Sequence, residues 1–364
     1  TSNNGNLVVS CTVDSVKYNG INAVTAQIRH CIATNNSSAS DSLIRGDADS
    51  IWYCIAYPRG FDYALTGTPG PGNVVENPYY RAPVTGEYSL RVDSYGSRLN
   101  NASGKKIGAY LVSCMYDTLV RSSTIATNET IDVLGDARVK NGRSLTVEKN
   151  STLVFAATDN QSSGSDASRV ELRVIGGGTL TIGSGGSPSE LAVLKGAGSS
   201  TAEGTWYGVY GASSHISMEY FECRNAVYGV QLSGTSGYAN TIEQGVFSYN
   251  SNTDIKINSA GYGLNLTVEA NSITVGGGTG IDVNGTVLAP LTVESNTMTC
   301  SSSTTYGILV TTGDADFDLV GNTVTGATLG EGIVPLMPGF VRGNTTTNCK
   351  WGISISSIRN PTIG

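Results

Sequence analysis

Two short signals recur in step through the C-terminal part of the chain, and together they dictate a stacked repeat. An Asn closes a short alternating run at Asn225, Asn250, Asn271, Asn296, Asn322 and Asn344, with steps of 25, 21, 25, 26 and 22 residues. After each comes a small or polar residue and then a branched aliphatic: Gly229-Val230, Asp254-Ile255, Gly280-Ile281, Gly307-Ile308, Gly332-Ile333 and Gly352-Ile353. Those aliphatics step by 25, 26, 27, 25 and 20 residues. Two fixed points per period of this length belong to a solenoid, in which each repeat buries its apolar face only against its neighbours.

Within each period the text alternates, as in Leu291-Thr292-Val293-Glu294 and Phe317-Asp318-Leu319-Val320, which marks strands with one buried face. Turns rich in Gly, Asn and Ser separate about three short strands per period, with no helical spacing over any useful length and without an Asn-Gly hairpin return in each period. Strands of this kind coil, and each turn pairs in parallel with the next. The predicted fold is all-β, a right-handed parallel β-helix. The recurring Asn suits a turn position that tolerates left-handed backbone and lets the amide hydrogen-bond along the stack.

Composition narrows the partners. Charged residues make up 14% of the chain, against ~25% in ordinary soluble domains. The net charge is −7 and there is no basic patch, which excludes nucleic acid as a partner. No apolar run approaches the ~20 residues of a membrane-spanning helix. Sequons begin at Asn35, Asn36, Asn101, Asn128, Asn150, Asn160, Asn265, Asn284 and Asn344, which suits a secreted glycoprotein. The chain starts at Thr1 without Met or a signal-like segment and stops in mid-rung, so it reads as a processed form or a piece of something longer.

Several residues invite a chemical reading. Cys11, Cys31 and Cys54 sit in matching contexts at rung spacing, either as a disulfide or redox site or as a ladder of stacked small side chains; the ladder is preferred. Asn252-Thr253-Asp254 resembles the Asn-Thr-Asp of polygalacturonases, which makes Asp254 the candidate catalytic carboxylate of a hydrolase or lyase. Convergence of Asp254, Asp282 and Glu294 on one outer groove would favour an enzyme. The Asp-Asp, Gly-His-Gly and Arg-Ile-Lys companions are missing, and Asp254 stands where other rungs have Gly. Asp314, Asp316 and Asp318 alternate and so share one side of a strand, a candidate calcium site through hard oxygen ligands; Arg342 follows about a rung later. No other cofactor is indicated. His30 and His215 have no partners placed by sequence and are read as structural or surface residues. Tyr207, Tyr210, Tyr220, Tyr228, Tyr249, Tyr262 and Tyr306 form an aromatic set that either stacks on sugars or packs between rungs.

The chain resembles the extracellular right-handed parallel β-helix repeat proteins of bacteria and archaea. The Asn-then-Gly-Ile rungs from about 215 to 364 carry the resemblance, with Gly204-Thr205-Trp206-Tyr207-Gly208-Val209 similar to that group's Trp-x-Gly-Ile element. Ile131-Asp132-Val133, Ser144-Leu145-Thr146-Val147 and Gly178-Thr179-Leu180-Thr181-Ile182 resemble its opening strands. Gly70 to Tyr80 and Glu87 to Tyr110 resemble its closing segment, with Glu76-Asn77 and Ser94-Tyr95-Gly96 departing from the usual text. The resemblance implies residues 1–112 as the last rungs and terminator of one β-helix. It implies 113–364 as a second, with cap strands at about 120–200 and regular rungs at about 204–364. It implies a non-catalytic extracellular or cell-surface structural protein: a rigid rod of a surface or filament assembly, adhesive, joined to other copies or flanking chain through uncapped ends. The alternative is a polysaccharide-acting lyase or hydrolase, or a glycan-binding module, of the same fold.

Overall fold

The structure is a computed structural model that describes residues 7–13, 20–22, 27–34, 43–46, 51–57, 61–63, 71, 73–75, 80–82, 87–94, 112–140, 142–159, 161–234, 238–262, 266–287, 290–312, 317–328, 330–335, 340–355 and 362–363. Among these residues there is no helix, and the strands stack as a parallel β-solenoid. The chain divides into two compact units, Thr1–Cys114 and Met115–Gly364.

The first unit contains three short parallel sheets, each stacking three strands one turn apart. Leu7–Val9, Gln27–Arg29 and Ile51–Trp52 form one; Thr12–Val13, Ile32–Thr34 and Ile55–Tyr57 the second; Ile21–Asn22, Ile44–Gly46 and Phe61–Tyr63 the third. Ile28, Cys31, Ala33, Leu43, Ile44, Ile51, Cys54 and Ala56 fill the interior. Cys11, Cys31 and Cys54 fall in register at one corner. The Cys31 N–H donates to Cys54 Sγ at 3.4 Å, and the Cys54 N–H to Asn73 Oδ1 at 3.1 Å, so an Asn continues the column. The residue before each Cys is left-handed: Ser10, His30 and Tyr53 have φ of 53°, 53° and 52°. His30 stacks on Tyr53 with ring centroids 5.4 Å apart. All three thiols are free, and the Cys54 donor holds the Cys31 thiol down to about 7. Among the described residues of this unit, Tyr80–Ala82 meets Glu87–Arg91 antiparallel.

The second unit winds three strands per turn. One face is a ten-stranded parallel sheet running from Ser123–Ile125 through Ser144–Glu148, Thr179–Ser184, His215–Glu219, Asn240–Glu243, Leu266–Glu269, Leu291–Glu294, Phe317–Val320 and Phe340–Arg342 to Thr362–Ile363; we call it the acidic face. A second face stacks Thr152–Phe155, Ala192–Gly196, Phe221–Arg224, Val246–Ser248, Ser272–Val275, Thr297–Cys300, Thr323–Thr325 and Thr345–Thr347, the hydroxyl face. A third stacks Glu171–Ile175, Gly208–Ala212, Tyr228–Ser233, Thr253–Tyr262, Gly278–Val287, Thr304–Thr312, Glu331–Pro335 and Trp351–Ile353, the aromatic face.

Period-two alternation puts like residues on like. The recurring aliphatics of the sequence form one buried column, Val230, Ile255, Ile281, Ile308 and Ile333. Ile242, Val268, Val293 and Leu319 form another on the acidic face. Each turn adds a layer worth ~25 cal/mol per Å² of apolar area removed from water. Trp206 is the largest fully buried side chain among the described residues; it stacks on Phe155 and donates its indole N–H to Arg224 O at 2.8 Å.

The asparagines occupy two corners, not the single column that their spacing suggests. Asn271, Asn296, Asn322 and Asn344 stand where the acidic face turns into the hydroxyl face, and each Nδ2 donates to a carbonyl on the preceding turn: Ile242, Val268, Val293 and Leu319. Asn225 and Asn250 stand one strand later, between the hydroxyl and aromatic faces. The 21-residue step from Asn250 to Asn271 marks the change of corner. The left-handed backbone is also displaced: of the six, only Asn225 has positive φ (64°), while the residue before the Asn carries it at Ala270, Ser295, Gly321 and Gly343. The turn itself needs the left-handed residue, and the Asn is selected for its amide.

Candidate binding face

On the aromatic face the residue after each inward aliphatic alternates to the opposite side of the strand, with Gln231 (8% exposed) and Val334 (4%) the covered ones among them. These residues form a column in register: Arg138, Arg173, Tyr210, Gln231, Lys256, Asp282, Leu309 and Val334. Beside it lie Tyr207 and Tyr228, and on the other flank Ser233, Asn258, Asn284 and Thr311. Adjacent turns bring side chains to ~4.8 Å, so residues a whole turn apart in sequence become neighbours.

The groups hold one another. Arg173 lies over the Tyr210 ring with 5.3 Å to the centroid, and Lys256 over Tyr228 with 4.6 Å. Such cation–π contacts fix flexible cations on a surface and hold the rings in place. Tyr207 and Tyr228 meet edge to face at 5.3 Å; the Tyr207 hydroxyl donates to Gln231 Oε1 at 3.1 Å, and Asn252 Nδ2 donates to the Tyr228 oxygen at 3.1 Å. Burial, with Tyr228 and Glu171 nearby, pushes the Tyr207 phenol up to about 12, so it stays a donor at physiological pH. Burial raises the Asp282 carboxyl and neighbouring Lys256 lowers it; Asp282 Oδ1 has no hydrogen-bond partner among the described residues.

At the start of the face three carboxylates pin a loop. Asp159 accepts the N–H groups of Gln161 and Ser163; Glu171 Oε1 accepts those of Ser165 and Asp166, both at 2.6 Å. Asp136 accepts the Glu171 N–H at 3.0 Å and the Ser163 hydroxyl at 2.7 Å. Burial pushes Glu171 up to about 7, offset in part by Arg173 at 3.6 Å. Asp136 and Glu171 are fully buried, so this cluster shapes the loop and touches nothing outside.

The carboxylates singled out by sequence do not gather. Asp254 lies inside the coil, 2% exposed, and its Oδ1 accepts Asn250 Nδ2 at 2.8 Å. Burial pushes it up to about 8. A carboxyl enclosed in this way has no access to a substrate on the outer surface. Asp282 faces outward on the aromatic face and Glu294 on the acidic face, in register with Glu269. Asp318 is exposed on the acidic face between Thr292 and Phe340, whereas Asp314 and Asp316 lie outside the described residues. Arg342 stacks over Phe340 at 5.1 Å. No group of three acidic, His or Cys side chains among the described residues is disposed to hold a metal ion.

Of the tyrosines, Tyr207, Tyr210 and Tyr228 assemble on this face. Tyr306 lies further along it beside Thr279 and Glu331; Tyr220 and Tyr249 sit at corners with φ of 50° and 55°; the side chain of Tyr262 lies outside the described residues. His215 is exposed and stacks with Tyr238. Among sequons, Asn128, Asn150 and Asn284 are exposed, and Asn35, Asn36, Asn101, Asn160 and Asn265 lie outside the described residues. Asn344 has its Nδ2 committed to the Leu319 and Arg342 carbonyls at 2.8 and 3.0 Å. No helix among the described residues is long and apolar enough to cross a membrane.

Sequence reasoning missed Arg173, Gln231 and Lys256. The signal was present: each directly follows an inward aliphatic of the period, or pairs with a residue that does. Comparison of the chain with protein families, curated proteins and solved structures finds no match.

Proposed function

We propose that the protein is a non-catalytic, extracellular β-helix rod of a cell-surface or filament assembly, and that it is adhesive because its aromatic face binds a glycan. One observation carries the reading: Tyr207, Tyr210 and Tyr228 share a rigid outer face with Arg173, Gln231, Lys256 and Asp282, in register on successive turns. Sugars are recognised by aromatic rings against their C–H faces and by amide, carboxylate and ammonium groups at their hydroxyls. The face supplies both. A parallel stack extends the site along the axis, which suits a chain ligand over a monosaccharide. The coil supports this role because its parallel strand hydrogen bonds, with Asn225 and Asn250 bonded across turns at the adjoining corner, hold the face in place before the ligand arrives, so little ordering is left to do on binding. Placement of Asp254, Asp282 and Glu294 apart from one another favours holding over cleavage, since acid and base must flank one glycosidic bond.

Affinity electrophoresis in gels cast with soluble polysaccharides tests the reading. The protein is expected to be retarded by at least one of them, and Tyr210→Ala with Lys256→Ala to migrate freely. Equal migration of protein and variant in every gel would overturn it.

A further inference from the structure

The hydroxyl face carries a second surface of different character. After the corner Asn, four successive turns read Ser272-Ile273-Thr274, Thr297-Met298-Thr299, Thr323-Val324-Thr325 and Thr345-Thr346-Thr347. The register is continuous: Ser272, Thr297, Thr323 and Thr345 form one outward column, and Thr274, Thr299, Thr325 and Thr347 a second. All eight are exposed or half-exposed. None of their hydroxyls bonds to the protein among the described residues. None of the eight positions is charged or aromatic.

Geometry then fixes where the oxygens lie. Hydroxyls repeat at ~4.8 Å along the coil and at roughly 6.6–6.8 Å across it, two residues along a strand. Thr is stiff at χ1, so each hydroxyl and methyl keeps its direction. The Asn271–Asn296–Asn322–Asn344 ladder ties the same four turns together immediately beside the array, and Ile273, Met298 and Val324 pack beneath it. Oxygen rows on the prism face of hexagonal ice repeat in two directions at nearly these distances.

We propose that this face binds ice, through a layer of water held in lattice register by the two hydroxyl columns. Eight equivalent, unpartnered hydroxyls repeating in two directions suit a periodic partner better than a single soluble ligand. Crystalline polysaccharide repeats over a longer distance along its chains and is gripped by rings, which these positions lack. Ordered water bridging polar groups costs little to immobilise, and on this face the two hydroxyl columns set its positions. The acidic face supplies an internal contrast. Its outward column Ser217, Thr241, Thr267 and Thr292 is also hydroxylated, but Glu219, Glu243, Glu269 and Glu294 run alongside in register. Four adjacent carboxylates bind water around charge and not in a lattice.

The test is recrystallisation of polycrystalline ice in the presence of the full-length chain. The protein is expected to suppress grain growth relative to an inert globular protein at equal concentration. Thr299→Lys and Thr274→Lys, each checked for unchanged thermal unfolding, are expected to lose the suppression. Thr267→Lys on the acidic face is expected to keep it. Grain growth equal to the control protein, suppression retained by both hydroxyl-face variants, or equal loss in Thr267→Lys would each overturn the proposal.

Discussion

Asn296 and Asn322 are joined twice across one turn of the coil: the backbone N–H and the Nδ2 of Asn296 both donate to Asn322 Oδ1, each at 3.0 Å. The same pair of hydrogen bonds links Asn271 to Asn296 and Asn322 to Asn344, so a single side-chain type closes a corner over four turns. Every accepting side-chain oxygen in this ladder belongs to the following turn, and every amide nitrogen also donates to a strand carbonyl, which leaves the buried polar groups of these side chains satisfied.

Asn296→Ala therefore removes two donor contacts and an oxygen that accepts twice, all buried. Leaving the partner groups unsatisfied costs about 1–3 kcal/mol each, so the variant is expected to unfold at markedly lower denaturant. Asn344→Ala, half-exposed at the ladder's end, is expected to lose much less. Equal losses in urea titrations of the two variants would contradict the ladder.

At most turns the residue before the inward aliphatic is glycine, and there the next strand fills the corner. A Cβ on Gly307 would lie 2.5 Å from Val324 Cγ1, and one on Gly280 would lie 3.0 Å from Met298 Sδ. Gly307→Ala is expected to destabilise by about 1–3 kcal/mol through overpacking, measured as a lower Tm with an unchanged far-UV spectrum. An unaltered Tm would show that the corner is looser than these distances require.

Asp254 occupies that same column and makes stability depend on pH. Its carboxyl is raised from 3.8 in the unfolded chain to about 8 in the fold. The native state thus holds a proton that the unfolded state releases, and stability is full below about 4 and falls as pH rises toward about 8. Each tenfold difference in proton affinity between the two states is worth about 1.4 kcal/mol, so the loss amounts to several kcal/mol. Asp254→Gly, which restores the residue of neighbouring turns, is expected to raise Tm more at pH 8.5 than at pH 4. A gain of equal size at both would contradict the assignment.

Sequon use should follow geometry. Asn128, Asn150 and Asn284 are exposed and free to carry glycans, whereas a glycan on Asn344 would disturb its two donor contacts and break the end of the ladder. Peptide mass mapping of folded protein secreted from a glycosylating host is expected to find the first three occupied and Asn344 bare. Full occupancy at Asn344 would count against its place in the stack.

The coil was legible because Val230, Ile255, Ile281, Ile308 and Ile333 recur at one buried position, and burial of a layer per turn tolerates almost no substitution there. The corner switch between Asn250 and Asn271 was not, since both corners follow alternating text and differ only by which strand comes next. The site was hidden for a related reason. Arg173, Tyr210, Gln231 and Lys256 have no shared chemistry, so periodicity could not flag them, and only the register of the sheet makes them neighbours. Asp254 misled because the short text around it looks catalytic, while its facing is decided by the packing of the corner, which turns it inward.

The most direct test of the central claim is mass analysis of oligosaccharides bound to and released from the protein, paired with the same experiment on Tyr210→Ala. A ligand recovered at its original mass from the unmodified protein, and not retained by the variant, is the result expected of a glycan-holding rod. Recovery of shortened or unsaturated products, or retention that ignores Tyr210, would contradict it.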